Sequence, residues 1–146
     1  VAELPQLVSV EHRLLAPDTP LSAAADDGWD ALDPVVRRAA DWGIDPARVA
    51  VFGESCGALI SALAAIRAGQ ADLQLRAQVL VNPVADVTGT MFDYPSVTEH
   101  AYSPALTAPQ LWLAQRLAVP SGTDPRALSP LYAESLTGLG RFLPII

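Results

Sequence analysis

Residues 49–60 read VAVFGESCGALI. An apolar run, Val49 to Phe52, breaks at Gly53, passes through Glu54, Ser55 and Cys56, reaches Gly57, and resumes as a small-residue stretch. By composition the run is a buried strand. Residues Cys56 to Ala68 predict a helix, with Leu59, Leu63 and Ile66 at spacings of four and three. A serine between two glycines at such a junction, G-x-S-x-G, reads as a nucleophile elbow. The bend is sharp enough to strain the serine backbone. Cβ atoms two positions before and two after are expected to collide with the flanking elements, hence Gly53 and Gly57. At average residue usage the pattern alone matches by chance in about 5% of chains this long. The strand before it and the helix after it carry the reading.

Such an elbow lifts the Ser55 hydroxyl above the C-terminal edge of the sheet, where open α/β sheets place ligands. It also sets Ser55 at a helix N-terminus, among free backbone donors and the positive end of the dipole. The Cys56 amide is then positioned to hold an oxyanion. Cys56 is a rival nucleophile, since a helix N-terminus lowers a thiol pKa. The slot favours a small buried filler, however, and cysteine behaves as one. Glu54 reads as a solvated or salt-bridged carboxylate.

Outward from the elbow, Gln6 to Val10 (QLVSV) is a β-prone run, followed by turn formers in EHRLLAPDTP. A helix is expected from about Ser22, with Trp29 and Leu32 on one face. Asp33-Pro34 reads as a kink, or as the cap of a second segment running to Trp42, with Gly43 as its stop. Asp45-Pro46 reads as an N-cap and first-turn pair. Gly69 is the expected end of the helix after the elbow. Ala77 to Val81 is the next strand, stopped by Asn82-Pro83, and residues 84–106 read as irregular. Thr107 begins T-A-P-Q, a capping box with Gln110, before a helix through Leu111, Ala114 and Leu117. FLPII at the C-terminus reads as the start of another strand. The alternation of helices with continuously apolar strands predicts the α/β class: one domain over residues 1–146, a mostly parallel sheet flanked by helices on both faces.

Composition narrows the function. The 146 residues are 51% hydrophobic, which suits a packed core. The net charge of −7 and nine scattered basic residues exclude nucleic acid as the expected partner. No apolar stretch approaches the ~20 residues of a membrane span. No signal peptide is visible at VAELPQ, so the cytoplasm is the default address. The chain does not begin with Met, and a complete translation product is not expected. One cysteine and two isolated histidines, His12 and His100, predict no disulfide and no metal site. No cofactor is implied.

Four stretches resemble the hormone-sensitive-lipase-like branch of the α/β-hydrolase esterases. VSVEHRLLAPDTPLSAAADD is similar to that branch's strand followed by Y-R-L-A-P-E-x-x-x-P-A-x-x-x-D. GIDPARVAVFGESC is similar to its G-x-D-x-x-R-I-x-x-x-G-D-S-A. AQVLVNPVAD is similar to its strand ending in Y-P-x-x-D, and ALSPLYAESLTGL with FLPII to its S-P-L segment and next strand. The match runs through nearly the whole chain in order. His12 stands for the usual Tyr, Glu54 for Asp, Cys56 for Ala and Ala58 for a third Gly, and one residue is inserted around Leu14-Leu15.

The resemblance implies a serine hydrolase of short or medium acyl esters, a small-molecule substrate, working through an acyl-enzyme on Ser55. It also implies an H-G-G oxyanion loop before Val1 and a triad acid and histidine after Ile146. The chain therefore reads as a central fragment with an incomplete site, expected to be inactive alone and prone to aggregate through exposed sheet edges. Within it, His12 is expected to bond a backbone group and His100 to lie on the surface. Asp86 and Asp93 are possible carboxylates but match no triad acid of the family, and Arg13 is expected to form a buried ion pair with Asp26 or Asp27. The alternatives are a catalytically inactive scaffold or interaction protein on the same fold, and a peptidase or amidase.

Overall fold

The computed structural model describes residues 6–145. Its centre is a three-stranded parallel sheet in the order β1-β2-β3, built from β1 (Ala50–Glu54), β2 (Ala77–Val81) and β3 (Arg141–Ile145). Gly53 lies opposite Leu80, and Leu80 opposite Pro144. Two long helices pack together on one face: α1 (Leu21–Arg37) and α2 (Cys56–Gln70). Two further helices, α3 (Pro95–Glu99) and α4 (Ala108–Ala118), follow β2. The Ile146 end of the expected last strand falls outside the described residues.

The helix after the elbow buries Leu59, Leu63 and a run of alanines, so α2 is apolar nearly all round. Its alanines let it approach the sheet closely. Ala58 and Ala62 pack against Leu80. Ala64, Ala65 and Ala68 meet Leu32, Val36 and Val49, with Trp29 and Val51 against the same cluster. Thr107 and Gln110 form the expected capping box, each side chain accepting from the other's backbone N–H. Gly43 adopts a left-handed φ of 69° and ends the short 3-10 segment Ala39–Trp42. Asp45 caps the Pro46–Arg48 turn through the Ala47 N–H.

Several expectations give way. Gln6 to Val10 is not a strand: its backbone makes no ladder and Leu7 is 91% exposed. β-Prone composition yields a strand only where a neighbouring edge supplies hydrogen bonds. Here an open groove of about 930 Å³ separates the segment from β1, with Leu7 and Val10 on one wall and Ala50 and Phe52 on the other.

Pro34 does not divide α1, which runs through it to Arg37. The proline sits in the last turn, where the burial of Leu32 and Val36 and an Arg37–Asp33 ion pair of 2.6 Å offset the lost N–H bond. Gly69 lies inside α2. The chain turns only at Asp72, whose φ is 56°, and a Cβ on Gly69 would come within 3.2 Å of the Thr137 carbonyl. Residues 84–106 contain a 3-10 turn, Gly89–Asp93, as well as α3. Among the described residues the sheet is covered on one face only. On the other, Phe52, Leu143 and Ile145 remain 69%, 55% and 52% exposed.

Candidate active site

β1 ends at Glu54 and α2 begins at Cys56, so the whole reversal falls on Ser55. Its φ of 54° and ψ of −116° are costly for a residue with a Cβ. The bend is fixed from three sides. The Ser55 N–H donates to the Val81 carbonyl of β2 at 2.9 Å. The Ser55 carbonyl accepts from Ala58 and Leu59 at 3.1 and 3.2 Å. Gly53 lets the α2 backbone descend onto β1, because a Cβ there would overlap the Gly57 carbonyl and lie 2.6 Å from the Ala58 nitrogen.

Gly57 differs from expectation. A Cβ on it would meet nothing within 4 Å, so no steric need for glycine arises at this position among the described residues. Gly57 instead borders the open groove beside β1.

Ser55 is exposed, and its hydroxyl makes no hydrogen bond among the described residues. As first residues of α2, Cys56 and Gly57 have no intrahelical acceptor for their N–H groups. A hydroxyl thus stands beside free amide donors at a helix N-terminus, an arrangement able to stabilise negative charge on an adjacent oxygen. The Cys56 side chain is half-buried and packs against the cluster of Leu59, Leu63 and Val87. Burial pushes its thiol pKa up. That disfavours a thiolate and supports the filler reading of Cys56. Glu54 is exposed.

Neither histidine is joined to Ser55. His12 Nδ1 donates to the Arg13 carbonyl at 3.0 Å, a local backbone contact of the expected kind. His100 caps the end of α3, exposed, beside a cavity of about 320 Å³ shared with Ser96 and Leu111. Asp93 is exposed, and Asp86 is buried and turned to Thr88, Thr90 and Tyr94. Arg13 pairs with Asp27 through Nε and Nη2, the closest contact being 2.8 Å. The pair is not buried, since the Arg13 side chain is 58% exposed. Asp26 instead pairs with Arg67.

The strand-turn-helix junction and the parallel order around it find their counterpart among known proteins: the profile of the alpha/beta hydrolase fold matches residues 5–146. The chain belongs to the alpha/beta hydrolase fold family. Over 102 residues it is 42% identical to a protein named carboxylesterase NlhH from Mycobacterium tuberculosis, covering 68% of this chain and 30% of that protein. The solved structure of DphMB1 superposes with a TM-score of 0.80 at 33% identity, covering 92% of this chain and 44% of that one. A gibberellin receptor, GID1A of Arabidopsis thaliana, is 36% identical over 80 residues, 53% of this chain and 23% of the receptor. The chain thus spans less than half the length of each of these three relatives.

Proposed function

We propose that Ser55 is the nucleophile of a carboxylesterase. The carrying observation is its position at the positive-φ bend between β1 and α2, exposed and beside the free Cys56 N–H. Its oxygen attacks the ester carbonyl while a base takes the hydroxyl proton. The Cys56 amide stabilises the resulting oxyanion. The alcohol leaves, and water releases the acid from the acyl-enzyme. Substrates are short or medium acyl esters. The ester class is supported by the likeness to a protein named carboxylesterase, and the acyl length is what the sequence resemblance implies. The base, its orienting acid and further oxyanion donors belong to the length that the relatives have beyond this chain.

A fluorophosphonate tests the proposal in the protein at its natural length. Stoichiometric labelling of the peptide bearing Ser55, abolished in Ser55→Ala, is expected. Ester turnover that survives Ser55→Ala refutes it. The 146-residue chain alone is expected to hydrolyse activated esters no faster than its Ser55→Ala form. A serine-dependent rate well above that control overturns the incompleteness and points to His100 as base.

One observation favours a second reading. The likeness to a protein named gibberellin receptor suits a binding module on the same fold. Such a module retains the elbow but leaves Ser55 unlabelled.

A further inference from the structure

Asp86 is a carboxylate that the esterase mechanism does not use, yet it is only 5% exposed. Oδ1 accepts from the Thr88 N–H at 2.7 Å. Oδ2 accepts from the Tyr94 hydroxyl at 2.9 Å and the Thr90 hydroxyl at 3.3 Å. Thr90 Oγ1 lies 2.6 Å from Thr88 Oγ1 and 3.2 Å from the Tyr132 hydroxyl. Burial pushes the Asp86 carboxyl pKa up, but the donors from Thr88, Tyr94 and Thr90 outweigh it and hold the group below its ordinary value. A buried anion carries a large desolvation cost, and here charge-assisted bonds offset it.

The segment that Asp86 organises leads directly from the elbow. It starts at Val81, whose carbonyl accepts the Ser55 N–H at 2.9 Å. The Asn82 N–H donates to Ile145 at 2.8 Å. Val84 and Cys56 pack against one buried cluster, of which Val87 and Leu59 are members. The segment is also clamped on both sides of Asp86. The Leu131 N–H donates to the Ala85 carbonyl at 3.0 Å. The Val87 N–H donates to Ser129 Oγ, and Gln115 Nε2 to the Val87 carbonyl, each at 3.0 Å. Residues 81–88 therefore join the backbone of the nucleophile to the packing behind the oxyanion donor.

We propose that Asp86 is a positioning residue for the elbow: by closing the 86–90 turn, its carboxylate holds Val84 and Val87 against the cluster that seats Cys56, and so aims the Cys56 N–H. The inference rests on Ser55 being the nucleophile. An amide aimed at a developing oxyanion acts in the transition state and not in the ground state. Loosening its support lowers kcat while leaving KM nearly unchanged.

The test uses Asp86→Ala and Asp86→Asn in the protein at its natural length. Turnover of a short acyl ester is normalised to sites titrated with a phosphonate, so unfolded molecules are not counted. Amide hydrogen exchange is followed in peptides covering 53–60 and 82–94. In Asp86→Ala, kcat per titrated site is expected to fall about tenfold to a hundredfold, with KM within about threefold. Exchange should quicken in both peptides. Asp86→Asn keeps an acceptor for the Thr88 N–H and should fall between, and it carries the test if the alanine form does not fold. Faster exchange at 82–94, with 53–60 and per-site kcat unchanged, overturns the proposal. If the unaltered protein is not labelled at Ser55, the esterase reading fails, and exchange at 53–60 alone decides whether Asp86 supports the elbow.

Discussion

Gly53 and Gly57 lie on opposite arms of the bend, but among the described residues only Gly53 is sterically required: a Cβ on it would overlap the Gly57 carbonyl, whereas a Cβ on Gly57 would enter open space. Gly53→Ala must therefore push α2 off β1. An overpacking cost of about 3 kcal/mol is expected, while Gly57→Ala should stay within about 1 kcal/mol. Urea unfolding of the two variants decides it, and equal losses would contradict the asymmetry.

The strain at Ser55 has a separate signature. Its φ of 54° suits a residue without a Cβ. Ser55→Gly should raise stability by about 1 kcal/mol, and Ser55→Ala, which keeps the Cβ, should not. Both variants should lose phosphonate labelling. Thermal unfolding of the pair separates the strain of the bend from the loss of the hydroxyl.

The Arg13–Asp27 pair ties the chain before α1 to that helix. Hydrogen bonds from the Arg13 side chain and backbone N–H hold the Asp27 pKa below its ordinary value of 3.8. A lowered carboxyl pKa contributes stability above the unfolded value and loses it as pH falls through the folded one. The same sign applies to Asp86, also held below 3.8. Stability should therefore drop as pH falls below about 4. Asp27→Asn should flatten that acid limb and leave the profile near neutrality similar in shape. Denaturation midpoints measured from pH 7 to pH 3 test this.

Thr107 caps α4 reciprocally with Gln110, the Thr107 N–H donating to Gln110 Oε1 at 2.9 Å. Thr107→Ala should cost about 1 kcal/mol, with faster amide exchange confined to the first turn of α4. Serine in the same place should restore most of the loss.

Local chemistry was legible in the sequence wherever neighbours along the chain decide the outcome. The left-handed Gly43, the Asp45-Pro46 turn and the Thr107–Gln110 box are each set by residues within a few positions, and the spacing of Gly53, Ser55 and Gly57 marked the elbow. Backbone sterics and short-range hydrogen bonds need no distant partner. The readings that failed depended on one. Among the described residues QLVSV has no adjacent edge and the outer face of the sheet is uncovered, while Pro34 is carried through by burial against α2. The bonds from the Asp86 carboxylate are short in sequence separation. Its relation to the elbow, however, arises only when β2 pairs with β1 and Val87 meets the cluster behind Cys56. Sequence thus determined the bend and the serine at its apex, while tertiary packing decided what holds them, because burial and sheet pairing are properties of what lies opposite a residue in space.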